Sequence, residues 1–186
     1  QITRTTLSLN AKLRPPTIKI PSMQDVKIQQ ARASDLEIVI QLTLESFGLV
    51  SFESNIESEF GLVNGTSWRD RKADHIRADF ADPDGRILLA NSDEQPIGFV
   101  SIRLNRKTKI GVIANLAVRP AKRNSGVGRK LILAAIDEMK KEAMELARIE
   151  TLGQNEIGQS LYPNLGFREI ARQIYYCQDL RQEGSA

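Results

Sequence analysis

The polar and apolar positions change period several times along the chain, and those changes divide it into elements. Val26-Lys27-Ile28-Gln29-Gln30 alternates and predicts a first strand. Ser34-Asp35-Leu36-Glu37 has the form of a capping box, after which Leu36, Val39, Ile40 and Phe47 recur on one helical face up to Gly48. A second helical stretch, Ser51 to Phe60, is acidic. A third starts at Thr66-Ser67-Trp68-Arg69-Asp70, carries Ala73, Ile76 and Phe80 on one side, and ends in the turn Asp82-Pro83-Asp84-Gly85. The period then shortens. Arg86 to Ala90, Ile97 to Leu104 and Lys109 to Val118 read as strands of an antiparallel meander, joined by segments of hairpin length. A long amphipathic helix begins near Val127, with Ile132, Ile136, Met139, Ala143 and Ala147 in step. It is followed by a short strand, Ile149 to Leu152, a helix, Glu156 to Leu165, and a last β run, Glu169 to Leu180.

Composition narrows this picture. A chain of 186 residues suits one domain with a full core: 25–181 is read as that domain, 1–24 as a basic extension and 182–186 as a tail. The longest apolar run, Leu131 to Ile136, falls far short of the ~18 residues a membrane span needs. One cysteine and one histidine give no zinc constellation, and no carboxylate spacing argues for another metal. Of the net charge of +3, the first 24 residues carry four basic groups and no acid, so the body is close to neutral, which weakens a nucleic-acid reading. The expected location is cytoplasmic. The extension is compatible with a remnant of an organelle-targeting segment, although Arg14-Pro15-Pro16 and Pro21 oppose a sustained amphipathic helix.

The segment Arg123-Asn124-Ser125-Gly126-Val127-Gly128-Arg129 lies between a strand and a long helix. Glycines let consecutive N–H groups face one anion, the helix adds its N-terminal partial charge, and the arginines bring full charges. A phosphate site is expected. A Rossmann dinucleotide turn is the rival, and Glu150, 22 residues beyond Gly128, fits it. Against it, Leu131 replaces the third glycine, seven residues separate Val118 from Gly126, and the strands before the loop form a meander.

Asn115-Leu116-Ala117-Val118-Arg119-Pro120, Arg123-x-x-Gly126-x-Gly128, Asn155 and Leu161-Tyr162-Pro163-Asn164-Leu165-Gly166-Phe167 together resemble the GNAT family of acetyl-CoA-dependent N-acetyltransferases. The likeness covers about residues 25 to 180 in element order and is specific over 110 to 167. It implies an α+β, three-layer fold whose mixed central sheet, flanked by helices, splays between its fourth and fifth strands. It also implies acetyl-CoA as cosubstrate, a small-molecule or peptide amine as acceptor, and neither metal, nucleic acid nor membrane; a homodimer is compatible with it. Pantetheine would bond to the main chain of Leu116 and Val118, with Ala117 between them. Arg123, Asn124, Ser125, Gly126, Val127, Gly128 and Arg129 would hold the pyrophosphate, with Lys122 nearby. Asn155 would contact the cofactor, and Tyr162 would protonate the departing thiolate. A tyrosine of ordinary pKa, about 10, is protonated at neutral pH and fits that task. The N–H of Val118 would stabilise the carbonyl oxygen during attack.

Deprotonation of the amine is less determined. A lysine-like acceptor of pKa about 10.4 is neutral in only about 4 of 10,000 molecules at pH 7. Many family members place a Glu on the fourth strand, but Lys109 to Asn115 contains no acid. A water relay through Asn115 or Glu150, or an acceptor of lowered pKa, are the alternatives. Glu53, Glu57 and Glu59 would favour a cationic acceptor or form a solvated face. Among other candidates, Cys177 reads as a packed thiol, His75 as solvated and Trp68 as a helix-start anchor. A non-catalytic CoA-binding module is the second functional reading.

Overall fold

A computed structural model describes residues 26–48 and 51–181; the expected basic extension and the short tail lie outside the described residues. The elements are β1 (Lys27–Gln30), α1 (Leu36–Phe47), α2 (Phe52–Phe60), α3 (Trp68–Ala81), β2 (Gly85–Ser92), β3 (Gln95–Asn105), β4 (Ile110–Val118), α4 (Val127–Lys141), β5 (Leu146–Ile149) and α5 (Glu156–Leu161). The five strands lie in sequence order, antiparallel except for the parallel β4/β5 pair. Helices cover both faces, as the α+β, three-layer expectation requires. α1 and α3 pack Val39, Leu42 and Ile76 against Leu89, Phe99 and Ala117. On the opposite face α4 buries Leu131, Ile132, Ala135 and Met139 against Val100, Ile102 and Ile113. Each Val, Leu, Ile, Phe or Met side chain so withdrawn from water contributes roughly 1.5–3 kcal/mol, so both faces hold the sheet.

Local chemistry sets the boundaries. Ser67 and Asp70 form a reciprocal capping box at α3. At α1 the expected box is replaced by a 3-10 turn, Ala33–Asp35, in which the Asp35 carboxylate accepts from the Arg32 N–H at 2.7 Å. α4 stops at Lys141, so Ala143 and Ala147 are not on it as their spacing suggested. Ala143 takes φ 56°, and Met144 N–H donates to the Met139 carbonyl at 2.9 Å. This is a left-handed helix stop with alanine where glycine is usual, and it gives no sequence signal. The fifth strand consequently starts at Leu146, three residues before the expected Ile149.

Two further expectations are corrected. Glu156 to Leu165 divides at Pro163 into α5 and a 3-10 turn, because proline brings no N–H to continue the helix. The run Glu169 to Leu180 forms no strand: Ile170 and Tyr176 are 91% and 88% exposed, and the run pairs with no strand among the described residues. Cys177 is therefore exposed, not packed. The segment lies alongside α2, with the Tyr175 ring 4.8 Å from Phe52 and Arg181 donating to the carbonyls of Phe60 and Leu62 at 2.6 and 3.0 Å.

Candidate active site

β4 is where the sheet departs from regularity. Ser101 of β3 faces Asn115 and Ile102 faces Ile113, so Ala114 is an extra residue, a β-bulge. Before it, Gly111 and Ile113 point towards α4; after it, Leu116 and Val118 do, while Asn115 and Ala117 turn to the α1/α3 face. β5 pairs only with Ile110 to Ile113. Beyond that point β4 continues to Val118 paired with β3 on one side only, leaving a gap on the other.

The ladder shows what lines this gap. Arg119 N–H donates to the Ile97 carbonyl at 2.9 Å, which makes the adjacent Gly98/Val118 pair one without mutual hydrogen bonds. The main-chain groups of Val118 and Leu116 are therefore turned away from β3 and into the gap, and those of Ala117 are turned to β3. The Val118 carbonyl accepts from Ser46 Oγ of α1 at 3.2 Å.

The Arg123 to Arg129 loop closes one end. Asn124 and Gly126 take φ values of 59° and 83°, and α4 starts at Val127 with no side-chain cap. Among the described residues, no acceptor is found for the N–H groups of Asn124, Ser125, Gly126, Val127, Gly128 and Arg129. These donors, at the positive end of a 15-residue helix, form a cradle for an anion. Gly128 sits beside both walls, since a Cβ there would be 3.8 Å from Val118 Cγ2 and 3.7 Å from Leu161 Cδ2. Arg123 is differently disposed: its N–H donates to Pro120 at 3.2 Å and its guanidinium to the Ser46 carbonyl at 3.0 Å, tying the loop to the end of α1.

α5 forms the other wall. Asn155 caps it, accepting from Gly158 N–H at 3.2 Å and donating to Thr151 Oγ1 at 2.9 Å. Thr151 also shares a side-chain hydrogen bond with Tyr162, whose ring packs edge-on against Phe167 at 6.2 Å. Burial pushes the Tyr162 phenol above its ordinary pKa and the Thr151 bond partly opposes this, so the hydroxyl stays protonated. Glu150 follows β5, exposed and bonded by Arg148 at 2.5 Å.

Residues 51–167 match the acetyltransferase (GNAT) family. This chain belongs to that family. N-alpha-acetyltransferase 30 of Saccharomyces cerevisiae is 31% identical over 84 residues, 44% of this chain and 48% of the yeast protein. The ribosomal protein bS18-alanine N-acetyltransferase of Escherichia coli is 35% identical over 71 residues, 37% of this chain and 48% of that protein. The matched stretch thus spans about half the length of these curated relatives. Among solved structures, the aminoglycoside 6'-N-acetyltransferase AAC(6')-IG of Acinetobacter haemolyticus superposes with TM-score 0.61 at 20% identity, covering 83% of this chain and 99% of that one. The PaiA N-acetyltransferase of Thermoplasma acidophilum, in complex with coenzyme A, superposes with TM-score 0.58 at 24% identity over 77% and 89% of the two chains. These GNAT structures share the fold.

A set of buried polar residues, of which only Asn115 was expected from the sequence, stands on the α3 side of the bulge. Asp79, 3% exposed, accepts from Ser101 Oγ at 2.6 Å, from Asn115 Nδ2 at 2.7 Å and from Arg103 Nε at 2.9 Å. Lys72 Nζ donates to Asn115 Oδ1 at 2.9 Å and lies 4.4 Å from the centre of the Phe47 ring. The Asn115 amide is thereby directed to α3 and not to the gap. The acids of α2 are engaged as well: Glu53 is buried against His75 Nδ1 at 3.1 Å, and Glu57 accepts the Trp68 N–H. Only Glu59 keeps the exposed disposition expected of a solvated acid.

Proposed function

We propose that this protein transfers an acetyl group from acetyl-CoA to a primary amine by direct attack within a ternary complex. The observation that carries this reading is the half-open β4 edge at Leu116 and Val118, ending in a cradle of unpartnered N–H groups at the start of α4. Pantetheine can extend that edge as an added strand, and its pyrophosphate meets the donors of Asn124 to Arg129, with Arg129 and Lys122 supplying cations. Asn155 and Tyr162 stand on the opposite wall. Val118 N–H polarises the thioester carbonyl, and Tyr162 supplies the proton to the leaving sulfur. Glu150, at the end of β5, is the relay position on this reading, since the Asn115 amide is held by Lys72 and Asp79 on the other face. The curated relatives named above for α-amine acetylation make peptide N-termini acceptors to test first, with aminoglycosides, polyamines and amino acids beside them.

The absence of an acid from Lys109 to Asn115 favours one other reading, a CoA-binding module without turnover. Thiol release with that panel of amines, alongside calorimetry with CoA and NAD, separates the two. CoA binding with amine-dependent thiol release supports transfer; CoA binding with no release supports the module; NAD binding without CoA binding refutes both. Tyr162→Phe lowers kcat more than it changes CoA affinity, and an unchanged kcat removes Tyr162 from the reaction.

A further inference from the structure

We infer that the run Glu169 to Leu180 is a docking surface for the same run of a second copy of this chain, the two lying antiparallel across a two-fold axis at Tyr175.

The run has what a strand needs except a neighbour. Its even-numbered positions Ile170, Ile174, Tyr176 and Leu180 are apolar and 91, 73, 88 and 84% exposed. Among the described residues, no main-chain hydrogen bond joins Glu169 to Leu180 to the rest of the fold. Unpaired N–H and carbonyl groups on an alternating apolar segment are a template for strand pairing. The run is also held in place. Tyr175 packs on Phe52 at the start of α2, and Arg181 bonds the carbonyls of Phe60 and Leu62 at its end. The odd-numbered Tyr175 is thus turned to the helix, and the apolar even positions are turned outward. Exposed Leu62 and Val63 stand beside the same end.

The order of residues within the run names the occupant. A two-fold axis at residue 175 is the only centre that maps all four apolar positions onto one another: Ile170 meets the partner's Leu180, and Ile174 meets the partner's Tyr176. The same register sets Glu169 opposite the partner's Arg181. A parallel pairing in register would instead set Glu169, Arg172, Asp179 and Arg181 each against its like, which is unfavourable. The run is therefore complementary to itself in both its apolar and its terminal charged positions, as an interface repeated on two identical subunits requires. A free two-stranded ribbon is marginal in water, but here each strand is backed by its own α2. The rival edge, the free side of β5, offers four residues to a run of twelve.

The test is the oligomeric state of the full chain by sedimentation across the micromolar range, with thiol cross-linking to read the register. The wild type is expected to be a dimer that dissociates on dilution. Ile174→Glu sets a carboxylate against the partner's Tyr176 twice per dimer, so the dissociation constant rises at least about 100-fold while CoA affinity is unchanged. Tyr176→Glu, at the other member of the pair, does the same. Cys177, the single cysteine, faces the partner's Gln173 in this register. Gln173→Cys therefore gives a disulfide-linked dimer under mild oxidation, since opposed Cα atoms in a ladder lie about 4.5–5.5 Å apart, within disulfide reach. In the wild type the two Cys177 thiols are four residues out of step and do not join. A wild type that stays monomeric throughout that range, as it would if the run paired with β5 of its own chain, overturns the inference. So does a dimer that both glutamate variants leave intact, or a wild type that cross-links as readily as Gln173→Cys. Acetyl transfer is read separately, by thiol release, and stands or falls independently of the dimer.

Discussion

Gly158→Ala isolates the Tyr162 wall of the gap, because a single methyl group there meets three members of that wall. A Cβ at residue 158 would lie 2.8 Å from Asn155 Nδ2, 2.8 Å from Thr151 Oγ1 and 3.1 Å from Tyr162 Cε2, where ordinary contact begins near 3.4 Å. The two polar atoms must each retreat by about 0.6 Å, which pulls Thr151 from Tyr162 and opens the Asn155 bond of 2.9 Å. Helix propensity works the other way, favouring alanine by roughly 0.5–1 kcal/mol, against an overpacking cost of about 1–3 kcal/mol. The net loss of stability is about 1 kcal/mol, a fall in Tm of roughly 2–4 °C for a chain of this size. Activity is more sensitive, since a displacement near 1 Å can cost about 100-fold when it misplaces a reacting group. The expected outcome is a kcat reduced roughly 10- to 100-fold with a fall in Tm of only a few degrees, followed by thiol release and thermal melting. Added to Tyr162→Phe, the same substitution should lower kcat little further, because both act on one hydroxyl. A higher Tm with unchanged kcat, the effect of helix propensity alone, refutes the reasoning.

Three other outcomes are expected. Asp79→Ala leaves Ser101, Asn115 and Arg103 without their shared acceptor and costs on the order of 3 kcal/mol by urea denaturation; a loss below about 1 kcal/mol contradicts the weight given to that carboxylate. Gly126→Ala forces a side chain into φ 83°, a strain of about 1–2 kcal/mol, and raises the CoA Kd roughly tenfold by calorimetry; unchanged affinity argues against the cradle. Because burial raises the Tyr162 pKa, the phenol remains a donor past pH 10: its contribution to stability is intact below about 10 and is lost as pH rises through the folded value. An alkaline limb of kcat lying well below pH 10 would belong to another group.

How far the sequence discloses this architecture depends on where a local signal exists. The order of helices and strands up to α4 follows from periodicity and from caps such as Ser67 and Asp70. The end of α4 does not, because Ala143 adopts a conformation that usually requires glycine. The phosphate cradle is visible because glycine, helix start and strand adjoin along the chain. The Lys72, Asp79, Ser101 and Asn115 group is scattered across α3, β3 and β4 and is joined only by folding. Two faint signs of it were present: Ser101 interrupts an apolar run, and Lys72 and Asp79 flank Ile76 on the buried side of α3. The final β run failed for the opposite reason. Its alternation is clear in the sequence, but a strand needs a neighbouring edge and a face to bury, and among the described residues Glu169 to Leu180 pairs with no edge and stays exposed.

The bulge at Ala114 is the most deceptive of these features. Gly111, Ile113, Asn115 and Ala117 are all buried in β4, so alternation reads as one continuous inward face. They in fact occupy two faces, because the extra residue reverses the pleat between Ile113 and Asn115. At that same residue β5 ceases to pair. A bulge strengthens local twist and leaves main chain unpaired, so one irregularity both opens the edge at Leu116 and Val118 and swings Asn115 to the lysine beneath the other face. The cofactor edge and the buried lysine are therefore coupled through the backbone. Substitutions that relieve the bulge should disturb both together, whereas substitutions at Lys72 should leave the edge, and CoA binding, intact.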